Sequence, residues 1–246
     1  MPPGAARNAL DCALIDLEAK AAGLRAWNLL DRPVPGERTT AYTISLGTPE
    51  TMAEAAARAA TRPLLKIKLG GKDGDPERIR AIRNAAPQSQ LIVDANEGWT
   101  RSNLEANLTA CAEAGVTLIE QPLPATDDAA LGTIKRPIAI CADESVHDRA
   151  SLQKLIGHYD AVNIKLDKTG GLTEALAMAD EAQRLGFDIM VGCMVATSLS
   201  MAPAVLLAQR ARVVDLDGPL LLAKDRAEGL RYDGSLVHPP TSALWG

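Results

Sequence analysis

Apolar and β-branched residues gather in eight short runs along the chain. They are TAYTISL (40–46), LLKIKL (64–69), QLIVDAN (90–96), TLIEQP (117–122), IAICADE (138–144), AVNIKLD (161–167), DIMVGC (188–193) and RVVDLDG (212–218), each starting 21 to 27 residues after the one before. Near-continuous apolar character, rather than strict alternation, predicts strands covered on both faces of a sheet. Between the runs the spacing becomes helical, as in PETMAEAAARAA (49–60), PERIRAIRNAA (76–86), NLEANLTACAEAG (103–115) and LTEALAMADEAQRLG (172–186), the last two ending on a glycine that stops a helix. Strand–helix units at this pitch require parallel strands joined by right-handed crossovers. Eight of them predict an α/β fold, a (β/α)8 TIM barrel spanning residues 40–229. A doubly wound open sheet is the runner-up, disfavoured by the even pitch and by the lack of a glycine fingerprint after the first strand.

Residues 1–39 lead into that barrel through a predicted amphipathic helix over 5–26. Residues 230–246, punctuated by Gly and Pro, predict a short hairpin or loop packed outside it. The 246 residues suffice for one large core. With only 3% aromatic residues, that core rests on Ala, Leu, Ile and Val. A formal net charge of −5 without a basic block argues against nucleic acid as a partner. Cys12, Cys111, Cys141 and Cys193 are scattered with no C-x-x-C pair, so neither a zinc site nor a disulfide framework is indicated. The start lacks the layout of a secretory signal, and no apolar run approaches the ~20 residues of a membrane helix. A cytoplasmic protein without a membrane partner is expected, with the oligomeric state, a homo-oligomer included, left open by the sequence.

Ionisable residues change the picture. Lys66 and Lys68 lie two apart on the second run, so on a strand they share one face. Asp94, Glu120 and Asp143 lie on the third, fourth and fifth runs, Lys165 on the sixth, and Asp215 and Asp217 on the eighth. These charges cluster towards strand C-terminal ends, which in such barrels face the active site. A single acid at a strand end ordinarily caps a turn, and a single lysine there is ordinarily a solvated rim residue. Three acids on successive strands at matching heights converge, and without a cation they would repel one another. All-oxygen ligation, with no Cys or His at these positions, suits Mg²⁺. Lys68 and Lys165, four strands apart, would then flank a substrate. The neighbouring Lys66 disfavours the protonated form of Lys68 and makes it available as a base.

The motifs KIK (66–68), VDANEGW (93–99), IEQPL (119–123), ADES (142–145) and NIKLDKTGGL (163–172), taken together and in order, closely resemble the enolase superfamily, in its muconate lactonizing enzyme subgroup. The resemblance implies a modified (β/α)7β barrel with Mg²⁺ on Asp94, Glu120 and Asp143. It implies Lys68 and Lys165 as the acid/base pair, Lys66 as the group that tunes Lys68, and Asn96 and Glu144 as supporting partners. The reaction it implies begins with removal of a proton α to a carboxylate, the metal stabilising the enediolate.

Within the subgroup, VVDLDGP (213–219) resembles the dipeptide epimerases of the L-Ala-D/L-Glu type, in which an Asp-x-Asp pair holds the substrate ammonium. Asp215 and Asp217 match that pair, and two carboxylates on one side of a strand suit a cation. Their competing reading is a capped turn before Gly218-Pro219. Cys193 and Met194, just after the seventh run, are expected in the pocket. The resemblance thus implies a dipeptide substrate. The alternatives are an N-acylamino acid racemase, a cycloisomerase of the subgroup, or a catalytically impaired metal-binding barrel. Members of the family carry an N-terminal capping domain, and the chain begins at what corresponds to the helix joining that domain to the barrel. The capping domain is therefore expected to be absent.

Overall fold

A computed structural model describes residues 1–246. Its helices are α1 (Ala5–Ala22), α2 (Ala26–Leu29), α3 (Pro49–Arg58), α4 (Asp75–Ala85), α5 (Leu104–Glu113), α6 (Leu166–Thr169), α7 (Leu172–Arg184) and α8 (Ser198–Ala208). Its strands are β1 (Arg38–Thr39), β2 (Tyr42–Ile44), β3 (Leu64–Lys68), β4 (Gln90–Asp94), β5 (Val116–Glu120), β6 (Ala139–Ala142), β7 (Ala161–Ile164), β8 (Asp188–Val191), β9 (Val213–Val214), β10 (Tyr232–Asp233) and β11 (Leu236–Val237). Strands β2 to β9 follow one another in one sheet in chain order, the strand order of a (β/α)8 barrel. All eight runs read from the sequence become these strands. No helix is long and apolar enough to cross a membrane.

The chain forms two compact units. One comprises Ala41–Val146 and Ser151–Val162; the other comprises Met1–Thr40, His147–Ala150 and Asn163–Gly246. In the first unit, β2 to β6 and the start of β7 pair in parallel. Helix α3 packs on α4, and α4 on α5. Thr48 starts α3 by accepting the N–H of Thr51, with Pro49 preset in the first turn. The crossovers β5–β6 and β6–β7 hold only short 3₁₀ segments, at Asp128–Gly132 and Arg149–Leu155. Between β3 and α4 the chain turns at Gly70, whose φ is +90° and whose Cβ, if present, would lie 2.2 Å from the Ala95 carbonyl oxygen. Only glycine permits that approach. Asp75 then ties the turn down, accepting from the Gly70 N–H at 2.8 Å and the Trp99 Nε1–H at 2.8 Å. This packing fixes the end of β3 against the loop that follows β4.

In the second unit, β8 pairs in parallel with β9, and β11 pairs antiparallel with both β1 and β10. The predicted hairpin in the tail is β10–β11, and it recruits β1 as a third strand. The helix expected over 5–26 ends instead at Ala22, because Gly23 takes the left-handed conformation and closes the last turn. Helix α1 packs on α6 and α7. It buries Asn8, Ile15 and Ala19 and leaves Leu10, Leu14 and Leu17 exposed. Its apolar residues occupy two faces, so it lacks the single buried face of the expected amphipathic helix. Helix α8 is buried nearly all round and carries Pro203 inside it.

Candidate active site

In the first unit the strand register sets Lys68 opposite Asp94 and Asp94 opposite Glu120, so three ionisable residues end three adjacent strands at one height. Glu120 lies level with Cys141, which puts Asp143 two residues further along, just past the end of β6. Asp94, Glu120 and Asp143 are 0%, 1% and 3% exposed, and Lys66 is 3% exposed. Burying such groups is costly unless they pair. The Lys66 ammonium lies 3.0 Å from Asp94 Oδ2 and 2.7 Å from Glu120 Oε2. Lys68 Nζ, half-buried, donates to the same Asp94 oxygen at 2.7 Å and to Asn96 Oδ1 at 2.9 Å. Two ammonium groups two residues apart are therefore accommodated by one shared carboxylate. Burial alone would raise the Asp94 carboxyl, but Lys66 and Lys68 outweigh it and hold the group below its usual range.

Asn96 joins the two sides of this cluster. It stands at φ +43°, donates its backbone N–H to Asp94 Oδ1 at 3.0 Å and its side-chain amide to Glu144 Oε1 at 3.3 Å. The Glu144 carboxyl is pushed above the usual range by burial and then by the negative charge of Asp143. No group of three or more His, Cys, Asp or Glu side chains converges closely enough to hold a metal ion. The Lys66 ammonium bridges Asp94 and Glu120 instead. The donor chemistry nonetheless fits a divalent cation. Asp94, Glu120, Asp143 and Glu144 bring four carboxyl groups to these strand ends, and Lys66 and Lys68 bring two ammonium groups. With all of them ionised, the surplus is two negative charges, presented by oxygen donors alone.

Gln121 is not among the residues that the sequence marks for the site. It follows Glu120 with φ +35° and is fully buried. Its Oε1 accepts the N–H groups of Asp143 at 2.9 Å and Ser145 at 3.1 Å. Its Nε2 faces the Leu123 carbonyl at 2.9 Å, Ser145 Oγ at 2.8 Å and Tyr159 Oη at 2.8 Å. Both hydroxyls donate onward to Asp128 Oδ2. The side chain thus ties the segment carrying Asp143 and Glu144 to the end of β5. Its only sequence signal was its place beside Glu120 in IEQPL. Gln121→Ala strands several buried main-chain groups and is expected to lower stability by about 2–4 kcal/mol in urea denaturation.

In the second unit, Lys165 is buried and sits between the end of β7 and α6, one residue past the strand to which the sequence reading assigned it. Gly192 packs against Asn163, where a Cβ would meet the side-chain oxygen at 2.6 Å. Cys193 is partly buried and Met194 exposed, both just past β8. Strand β9 ends at Val214, so Asp215 and Asp217 lie beyond it and their placement does not come from strand alternation. Both are buried. Asp217 precedes the 3₁₀ turn Gly218–Leu221 and accepts the Leu220 N–H through its carbonyl at 2.8 Å, while its side chain makes no capping bond to that turn. Tyr232, from β10, donates its hydroxyl to the Leu216 carbonyl at 2.7 Å. Burial, then the Cys193, Asp217 and Asp225 groups, push that phenol well above its ordinary range, so it stays a donor.

Residues 50–243 match a family model described as Enolase C-terminal domain-like. The chain is 51% identical over all its length to N-acetyl-D-glutamate racemase of a Pseudoalteromonas species, covering 78% of that protein. It is 48% identical to L-Ala-D/L-Glu epimerase of Escherichia coli, with 97% of this chain and 74% of the epimerase aligned. Among solved structures, an enolase family member from Agrobacterium tumefaciens with homology to dipeptide epimerases, bound to sodium and L-Ala-L-Glu, superposes with a TM-score of 0.97 at 60% identity. It covers 100% of this chain and 75% of that one. A dipeptide epimerase from Cytophaga hutchinsonii, complexed with Mg and D-Ala-L-Val, superposes with a TM-score of 0.89 at 31% identity. It covers 95% of this chain and 67% of that one.

Proposed function

Because the chain belongs to the enolase C-terminal domain-like family, we propose that it is an isomerase that inverts the α-carbon of the C-terminal residue of a dipeptide of the L-Ala-D/L-Glu type. The observation that carries this reading is the set of ionised groups level with one another at the ends of β3, β4 and β5, in a chain half identical to racemases and epimerases. Lys68 and Lys165 are the two bases. One amine takes the proton α to the substrate carboxylate, and the electron pair left behind spreads into that carboxylate. The other ammonium returns a proton to the opposite face, which inverts the centre. Lys66 supplies fixed positive charge beside Lys68. Asp94, Glu120 and Asp143 would hold Mg²⁺, with Asn96 and Glu144 orienting them. When bound, the ion supplies positive charge where negative charge develops as the proton leaves. Asp215 and Asp217 accept the dipeptide ammonium, and Cys193 and Met194 line the pocket beside them.

A second reading, an N-acylamino acid racemase, is favoured by the 51% identity to N-acetyl-D-glutamate racemase. Such a substrate has no ammonium for Asp215 and Asp217. Incubating the protein with Mg²⁺ in D₂O, with L-Ala-L-Glu and N-acetyl-L-glutamate in separate reactions, decides between them by NMR. Deuterium at the glutamate α-carbon and appearance of the second epimer from the dipeptide are expected, with kcat/KM at least about tenfold above that for the N-acetyl compound. The reverse preference selects the racemase. Silence with both substrates overturns both readings and leaves the cycloisomerase and the impaired scaffold.

A further inference from the structure

The peptide unit of Leu216, between the two aspartates, is held from both sides by hydroxyl groups. Its N–H donates to Thr40 Oγ1 at 2.8 Å, and its carbonyl accepts from Tyr232 Oη at 2.7 Å. Leu216 and Thr40 are fully buried. Ladder bonding along β9 ends just before this point, where the Asp215 N–H reaches the Val191 carbonyl at 2.8 Å. Strand β9 has ended at Val214, and buried main-chain groups need hydrogen-bond partners outside regular pairing. One hydroxyl belongs to the small antiparallel sheet and the other to the residue that leaves it. Tyr232 lies on β10, and Thr40 directly follows β1 and donates its own N–H to the Ser235 carbonyl at 2.8 Å. That sheet therefore fixes the peptide that carries Asp215 on one side and Asp217 on the other.

We propose that Thr40 and Tyr232 are positioning residues that set substrate specificity by fixing the two carboxylates at the spacing an α-ammonium requires; this rests on the assignment of Asp215 and Asp217 to the ammonium. Neither hydroxyl touches the substrate. They act through one peptide, so their effect falls on substrates with a free ammonium and spares N-acylated ones. A role confined to satisfying buried backbone would lower stability without discriminating between substrates.

The test compares Tyr232→Phe, Thr40→Val and Thr40→Ser with the unsubstituted protein, measuring KM and kcat for L-Ala-L-Glu and for N-acetyl-L-glutamate, and the thermal midpoint of each variant. Tyr232→Phe and Thr40→Val are expected to raise KM for the dipeptide about five- to tenfold, with kcat changed by less than about twofold. Parameters for N-acetyl-L-glutamate stay within about twofold, and Thr40→Ser, which keeps the hydroxyl, restores the dipeptide KM. Asp217→Asn in parallel reports on the underlying assignment. If it raises the dipeptide KM while Tyr232→Phe and Thr40→Val do not, or if those two raise KM equally for both substrates, the positioning role is overturned and the ammonium site stands. If Asp217→Asn leaves the dipeptide KM unchanged, or the unsubstituted protein does not turn the dipeptide over, the ammonium site and the positioning role fall together. A variant too unstable to assay at Tyr232 leaves the Thr40→Val and Thr40→Ser pair to decide by the same criteria.

Discussion

Lys165→Ala and Lys68→Ala are each expected to lower the rate of dipeptide epimerisation by at least about 10³-fold, within the range that a positioned acid or base supplies. The loss should take a different form for each, because the two amines are assigned to opposite faces of one carbon. With one base gone, the other can still remove the proton it faces and return a solvent-derived one to the same side. In D₂O, one epimer then exchanges its α-proton with retention and the other does not exchange at all. Which epimer exchanges should reverse between Lys68→Ala and Lys165→Ala. The measurement is α-proton wash-out by NMR, starting separately from L-Ala-L-Glu and L-Ala-D-Glu. A variant that still inverts the centre at near the original rate would break the two-base assignment. So would two variants that exchange the same epimer. Lys68 is anchored to Asp94 and Asn96 at the end of β3, and Lys165 is buried at the junction of β7 and α6, so each variant removes an amine from a different element.

Much of this arrangement is legible in the sequence because it rests on periodic features. The lysine pair is visible because residues i and i+2 of a strand share a face, and the eight runs recur at a pitch that only strand–helix units explain. Asp94 and Glu120 lie two residues before the ends of their runs and are the last residues of their strands. Asp143, Lys165, Asp215 and Asp217 are displaced past the strand ends, because hydrogen-bonded pairing stops before the apolar run does. Helix α8 has no counterpart among the periodic segments read from the sequence, since it is apolar on nearly every side and interrupted by Pro203, which leaves no polar stripe to mark a face. Gln121, Thr40 and Tyr232 are invisible for another reason. They bond to main-chain groups of residues that are remote in the chain or have left regular pairing, and such contacts have no spacing rule. The apolar exposure of Leu10, Leu14 and Leu17 is equally illegible, because a helix with two apolar faces reads like one with a broad buried face.

Lys66→Met is expected to destabilise the protein by about 3–5 kcal/mol in the absence of divalent cations, the cost of removing one partner from a buried ion pair, which for a chain of this size is roughly 6–20 °C in thermal midpoint. Methionine preserves most of the volume, so the effect isolates the charge. The ammonium that lies within 3.0 Å of Asp94 and 2.7 Å of Glu120 is lost, and both carboxylates stay buried. Mg²⁺ should then stabilise the variant more than it stabilises the unsubstituted protein. Binding to the native state raises stability by an amount that grows with affinity, and deleting a positive charge beside an oxygen-donor site strengthens its attraction for a cation. Thermal melts with and without Mg²⁺, on both proteins, measure the two effects independently of turnover. A midpoint shift under about 2 °C without Mg²⁺ would mean that the Lys66 pairing contributes little. A Mg²⁺ response no larger in Lys66→Met than in the unsubstituted chain would place the cation away from Asp94 and Glu120, and the proposed ligand set would fail with it.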